Sequence, residues 1–299
     1  VASGTMANQA AIAVHTSPGE EVLLEERSHV YLYEAGAPAV VSGVQVHPLP
    51  GEGGLVAADT LRAALRPPNV HFPASSLLVF ENTHNRAGGK VLPLEGMDAT
   101  ARVAREAGLR VHLDGARLWN AAVASGVPEA RYAALADSVS VCFSKGLGAP
   151  IGSVLCGAEE FVARARFVRK RLGGGMRQVG ILAAGCLHAL HNHRSRLAED
   201  HRRARDLARA VAALPELSVD PASVETNILV IGVKIGRPEE WCAEMARLGV
   251  RIVPFGPGAL RAVTHLDVSD EGIARASDAF GRCARMLREG RSPLRGWPG

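Results

Sequence analysis

Lys145 stands where the apolar run Val139-Ser-Val-Cys-Phe143 gives way to a serine, the lysine and a glycine-softened turn, Gly146-Leu-Gly148. With apolar sequence before it and no acidic residue within six positions, such an amine is open to desolvation, the state in which lysine is a nucleophile and forms Schiff bases. Asp114 and Arg117 end a second run of this kind, Leu109-Arg-Val-His-Leu-Asp-Gly-Ala-Arg117. Near the start, Ser3-Gly4-Thr5 precedes a helical run to His15. A glycine turn feeding a helix leaves free backbone N–H groups at a positive dipole end, a seat for phosphate to which the Thr5 hydroxyl adds a donor; an ordinary capped helix is the alternative. His29 follows a capping serine, Ser28, at a strand-to-helix junction, and His71 lies in the proline-stiffened connection Pro67–Pro73, either as a positioned site residue or as a hydrogen-bonded loop histidine. An amine, a carboxylate to keep a pyridine nitrogen protonated, an anion seat and a guanidinium for a substrate carboxylate are what a pyridoxal phosphate site requires. Lys145, Asp114, Gly4 with Thr5, and Arg117 or Arg261 supply that set.

The elements around these residues alternate. Strands are expected at 21–24, 44–49, 77–81, 109–114, 139–143 and 152–157, with helices between them at 59–65 and 98–107, the pattern of an α/β protein with a three-layer, mostly parallel sheet covered by helices on both faces. In such sheets ligands gather at the carboxyl ends of the strands. Asp114, Arg117 and Lys145 all fall at such ends, and so does the polar loop Glu81-Asn-Thr-His-Asn-Arg-Ala-Gly-Gly89, which is expensive to bury without partners and reads as ligand-facing. A basic helix is expected at 159–172, a flexible turn carrying Arg177 at 173–178, and one long helix at 181–214 as a spine between two domains. A large domain at 1–214, a smaller C-terminal α/β domain at 215–290 and a frayed tail at 291–299 follow. The smaller domain carries Arg261 on the strand 259–263.

Bulk properties bound the function. With 299 residues, 47% of them apolar, the chain buries a large core. No apolar run reaches the length of a membrane span and no secretory leader opens the chain, so a soluble, cytoplasmic protein is expected. The five cysteines are scattered and free of C-x-x-C spacing, as reduced core thiols are, and no metal ligands are assigned. A net charge of +4 distributed along helices, with few aromatic residues to stack on bases, argues against nucleic acid.

Eight motifs in order carry a resemblance: SGTMANQ from Ser3, SHVYLYEAG from Ser28, HFP from His71, ENTHNRAGG from Glu81, HLDGARLWNAA from His112, SKGLGAPIGS from Ser144, GGGMRQVGILAA from Gly173 and RAVTH from Arg261. On them the chain resembles the low-specificity L-threonine aldolases, pyridoxal phosphate enzymes of the aspartate-aminotransferase-like fold type I. The resemblance implies aldol cleavage of L-threonine, L-allo-threonine and other β-hydroxy amino acids to glycine and an aldehyde, a part in threonine catabolism and glycine formation. It implies that Lys145 carries the cofactor, Asp114 pairs with the pyridine nitrogen and Gly4 with Thr5 seats the phosphate. His29 would stack on the cofactor ring and His71 would act near the substrate hydroxyl, the sequence leaving open which of the two is the base. Arg117 and Arg261 would surround the cofactor's phenolic oxygen and the substrate carboxylate. Arg177 would reach the phosphate region from a neighbouring subunit, so that a dimer or tetramer with shared sites is implied. The family also has an upstream segment of roughly fifty residues, and Val1 opens inside a motif, so upstream residues are expected to be missing. Two rivals stand beside this reading: a truncated form that is inactive or works only with a partner subunit, and another fold type I lyase, such as a β-eliminating enzyme.

Overall fold

Alternation along two buried strands organises the first part of the molecule. In the computed structural model, which describes residues 1–291, six strands form one sheet: β1 (Glu21–Glu25), β2 (Gln45–Leu49), β3 (Ser75–Glu81), β4 (Arg110–Gly115), β5 (Ser138–Cys142) and β6 (Ser153–Gly157). Their order is β2-β1-β3-β4-β5-β6. All neighbours are parallel except β6, which runs antiparallel to β5. The expected α/β class with a mostly parallel sheet is therefore what folds. Side chains of a strand alternate between faces, and here both faces are buried. Leu23, Leu78, Phe80, Val111 and Leu113 enter one core with Leu61, Met97 and Ala101, while Val22, Leu24, Leu77 and Val79 pack on the other face with Ile12. That second face carries polar residues on β4 and β5: His112 pairs in register with Ser138 and Asp114 with Ser140, and all four are buried.

The helix Gly4–His15 is capped by Ser3, whose side chain accepts from Met6 N, and it buries Ala7, Asn8, Gln9, Ala10, Ala11, Ile12 and Val14. The chain leaves β1 toward β2 on one side and returns through β3 on the other, so the carboxyl ends of β1 and β3 flank a topological switch point, where open α/β sheets bind ligands.

The chain divides into two compact units, Val1–Ser195 and a second that begins at Arg196. The single helix expected at 181–214 is two helices, Gly180–His193 and Leu197–Ala212. Arg194-Ser-Arg196 lies between them, and side chains at this break are anchored elsewhere: His193 Nδ1 lies 2.6 Å from Leu147 O, and Arg194 makes two hydrogen bonds to Glu129, at 2.8 and 2.7 Å. The helix expected to close the large domain at 214 thus opens the second unit. In that unit β7 (Leu217–Ser218), β8 (Ile228–Val233), β9 (Val253–Pro254) and β10 (Ala259–Val263) form an antiparallel sheet in the order β7-β8-β10-β9. Trp241, Phe280, Leu229, Ile231 and Leu260 form the core. The tail expected at 291–299 lies, after its first residue, outside the described residues.

Candidate functional site

Four segments of the first unit meet at the carboxyl ends of β4 and β5 around a cavity of about 340 Å³. Gly4, Thr5 and Asn8 come from the first helix, His29 from the turn after β1, Asp114 and Ala116 from the end of β4, and Ser144, Lys145, Pro150 and Ile151 from the loop after β5. Lys145 is half-buried, and its carbonyl accepts from Gly148 N at 2.9 Å, which closes the turn that presents it. Gly4 and Thr5 are the first two helical residues, in a turn whose N–H groups have no intrahelical acceptor. A Cβ at Gly4 would come 3.0 Å from Cys142 Sγ, so glycine leaves room between the helix start and the sheet.

Two buried carboxylates and an imidazole form the floor. Glu34 accepts at Oε1 from His29 Nδ1 at 2.9 Å and from Asn8 Nδ2 at 2.9 Å, and at Oε2 from Gln9 Nε2 at 2.6 Å. Asp114 accepts at Oδ2 from Asn8 Nδ2 at 2.8 Å and at Oδ1 from Ala116 N at 3.0 Å. Ligand atoms of His29, Glu34 and Asp114 all lie within 4.8 Å of one another. Since a carboxylate only accepts, His29 donates from Nδ1, and Nε2 is its remaining ring nitrogen. The hydrogen bond to Glu34, outweighing burial, holds the His29 imidazolium above the ordinary value of 6.5. From behind, Glu81 at the end of β3 accepts from His29 N at 2.6 Å and from Asn85 N at 2.8 Å, tying the turn after β1 to the loop after β3. Burial pushes the Glu81 carboxyl upward.

The remaining expected site residues do not line this cavity. His71 is exposed in its loop, where its backbone N–H bonds to Asn69 Oδ1. Proline does hold the connection in place, but it holds it against solvent. Arg117 is half-buried and begins the helix Leu118–Ser125 at the same sheet edge. Arg177 is exposed in the turn ahead of the helix Gly180–His193. Arg261, in the second unit, has its guanidinium carbon 5.1 Å from the centre of the Phe255 ring. Two residues around the floor, Asn8 and Glu34, went unassigned from sequence, and Glu81, behind it, was read only as the start of a ligand-facing loop. Asn8 follows Gly4 by one helical turn and Glu34 follows His29 by five residues, within the motifs SGTMANQ and SHVYLYEAG; a polar residue on the buried face of so apolar a helix was the available signal.

The donor set fits pyridoxal phosphate: an amine, a buried carboxylate, a helix start and an imidazole converge on one space. Comparison with known proteins gives the family. Residues 1–234 match the Beta-eliminating lyase family. The chain is similar to a probable low-specificity L-threonine aldolase 2 of Arabidopsis thaliana, 41% identical over 94% of this chain and 81% of that protein. It is also similar to the low specificity L-threonine aldolase of Escherichia coli K12, 40% identical over 92% of this chain and 80% of that one. Among solved structures, the threonine aldolase of Leishmania major superposes with a TM-score of 0.81, covering 95% of this chain and 83% of its own at 21% identity, which is a likeness of fold. This chain therefore belongs to the Beta-eliminating lyase family and, within it, to the low-specificity L-threonine aldolases.

Proposed function

We propose that this protein cleaves L-threonine, L-allo-threonine and related β-hydroxy amino acids to glycine and the corresponding aldehyde, with pyridoxal phosphate as cofactor. The observation that carries the proposal is the meeting of Lys145, Asp114, His29 and the helix start at Gly4 and Thr5 in one cavity. When bound, the cofactor supplies an electron sink for the pair released as the bond between the α and β carbons breaks. The amine of Lys145 would hold the cofactor's aldehyde end, the Asp114 carboxylate would stand against its pyridine nitrogen, and the N–H groups of Gly4 and Thr5 would take its phosphate. Arg117, at the same sheet edge, is assigned to the phenolic oxygen and the substrate carboxylate.

The base is His29. It lines the cavity, whereas His71 does not, and Glu34 fixes the ring so that Nε2 is the nitrogen left to receive the substrate's hydroxyl proton. The imidazolium so formed lies against the Glu34 carboxylate, which stabilises it as the C–C bond breaks. Reprotonation of the α carbon then yields glycine. The charges balance locally: Glu34 answers His29, and Asp114 is left to answer the cofactor.

The site is read as completed by a neighbouring subunit through Arg177. Its support is an apolar groove of about 450 Å³ beside that turn, lined by Met176, Val179, Leu182 and Leu187 among others, with Ile181 84% exposed next to it, an arrangement suited to burial between subunits.

The experiment is to mix the purified protein with pyridoxal phosphate, desalt it, record the visible spectrum and add L-threonine. A retained cofactor band and release of glycine with acetaldehyde are expected, and Lys145→Ala loses both. A keto acid with ammonia as the products would instead make the chain a β-eliminating enzyme. An unchanged band in Lys145→Ala would remove that residue from its role.

A further inference from the structure

The polar stripe on the sheet is larger than the cavity chemistry requires. Below Asp114, the same face of β4 and β5 carries His112, Ser138 and Ser140, all buried, and the first helix lays Asn8 and, two turns later, His15 over them. Such groups are expensive to bury unless fully paired, and here they pair with one another and with the carboxylates. We infer that Asn8 is a positioning residue, whose carboxamide locks Asp114 and Glu34 into one arrangement and is itself held by a one-directional hydrogen-bond relay through His112, Ser138 and His15.

The direction follows from donor counting. Asn8 Nδ2 faces two carboxylate oxygens, at 2.9 and 2.8 Å, so both its hydrogens are donated and its Oδ1 points the other way. That oxygen accepts from Ser140 Oγ at 2.9 Å and lies 3.2 Å from His112 Nε2. A carbonyl cannot donate, so Nε2 of His112 carries a proton. His112 Nδ1 lies 2.8 Å from Ser138 Oγ, and the same hydroxyl lies 2.7 Å from His15 Nε2. With His112 neutral, Ser138 donates to Nδ1 and accepts from His15 Nε2–H. Neutrality is what the surroundings favour: burial brings both His112 and His15 down to about 4. The other neutral tautomer of His112 would set a lone pair against the Asn8 carbonyl. Relief by turning the carboxamide over would set its oxygen against Asp114 and Glu34. The rings between the first helix and the sheet therefore fix how the two floor carboxylates, and through Glu34 the ring of His29, are presented.

The test uses protein labelled with 15N in histidine and loaded with pyridoxal phosphate. Long-range proton–nitrogen correlation spectra between pH 6 and pH 8 are expected to show His112 and His15 neutral, with protons on Nε2. Ser138→Ala removes one hydroxyl and leaves Asn8 in place; it is expected to convert His112 to mixed tautomers and to lower kcat roughly tenfold with KM little changed, as loss of an outer hydrogen-bond partner does. Asn8→Ala is expected to lose more, and Ser138→Ala serves if that variant does not fold. Wild-type His112 protonated on Nδ1 or on both nitrogens would overturn the relay, as would an unaltered tautomer or unaltered kcat in Ser138→Ala. The kcat arm rests on the proposed cofactor role of Asp114, whereas the tautomer is read from the protein alone: failure to retain cofactor would sink the role and leave the relay to be judged on its spectra.

Discussion

At the scale of single residues, the site separates two carboxylates by what each one faces. Glu34 is committed to the ring of His29 and to the amides of Asn8 and Gln9, whereas Asp114 lines the cavity. His29 is held above 6.5 chiefly by the Glu34 hydrogen bond, and a base works only when deprotonated. The rate of threonine cleavage should therefore rise with pH through a midpoint above 6.5. Glu34→Gln keeps the shape and removes the charge, so it should bring that midpoint down and lower the plateau. His29→Asn should lose the ionisation from the profile altogether. A kcat–pH curve unchanged in Glu34→Gln would mean that the titrating base lies elsewhere.

Glycine does a different kind of work at the scale of elements, where strands and helices must approach closely enough to bring the floor together. Asp114 is the last residue but one of β4, and Gly115, which ends the strand, pairs in register with Val141 of β5. A Cβ at Gly115 would meet the Ser140 carbonyl oxygen at 2.7 Å and Leu118 Cβ at 3.1 Å. The first of these is backbone of the adjoining strand and cannot turn aside. Gly115→Ala should therefore spread β4 from β5 and destabilise the first unit by about 2–3 kcal/mol, the range of overpacked cores, with weaker cofactor retention because Asp114 is on β4 and Lys145 is in the loop that follows β5. Urea unfolding followed by circular dichroism, with the absorbance of retained cofactor, measures both; a wild-type midpoint in this variant would contradict the close approach. The contrast with Gly19 is instructive. Its φ of +88° requires glycine for backbone reasons, yet a Cβ there would meet nothing within 4 Å.

For the whole molecule, the burial of neutral histidines in both units sets how stability responds to acid. His15 and His112 in the first unit and His201 in the second are each brought down to about 4, in each case first by burial. Below 6.5 the unfolded chain takes up protons that these rings refuse, so each contribution to stability is complete above 6.5 and declines as the pH falls toward 4. Glu81 and Asp200, raised by burial, act in the opposite sense, which makes a difference between variants the clean measurement. His201→Asn should lose less stability than the wild type between pH 6.5 and 4.5, by on the order of 2 kcal/mol; equal losses would show that His201 is not held neutral. The α/β class, the six strands, and the positions of Lys145, Asp114, His29, Gly4 and Thr5 were legible in the chain because each is a local property: an apolar run that ends in a glycine and a charged side chain needs no distant partner to be seen. The division of the long helix was not legible, since its cause is the pairing of Arg194 with Glu129 and the contact of His193 with Leu147, residues far away in sequence. The exposure of His71 and the enlistment of Asn8, Glu34 and Glu81 belong to the same class. Which side chains share a buried space depends on crossovers between strands, and a polar residue on an apolar face announces only that it has a partner. The partner itself is chosen when helix and sheet close on one another.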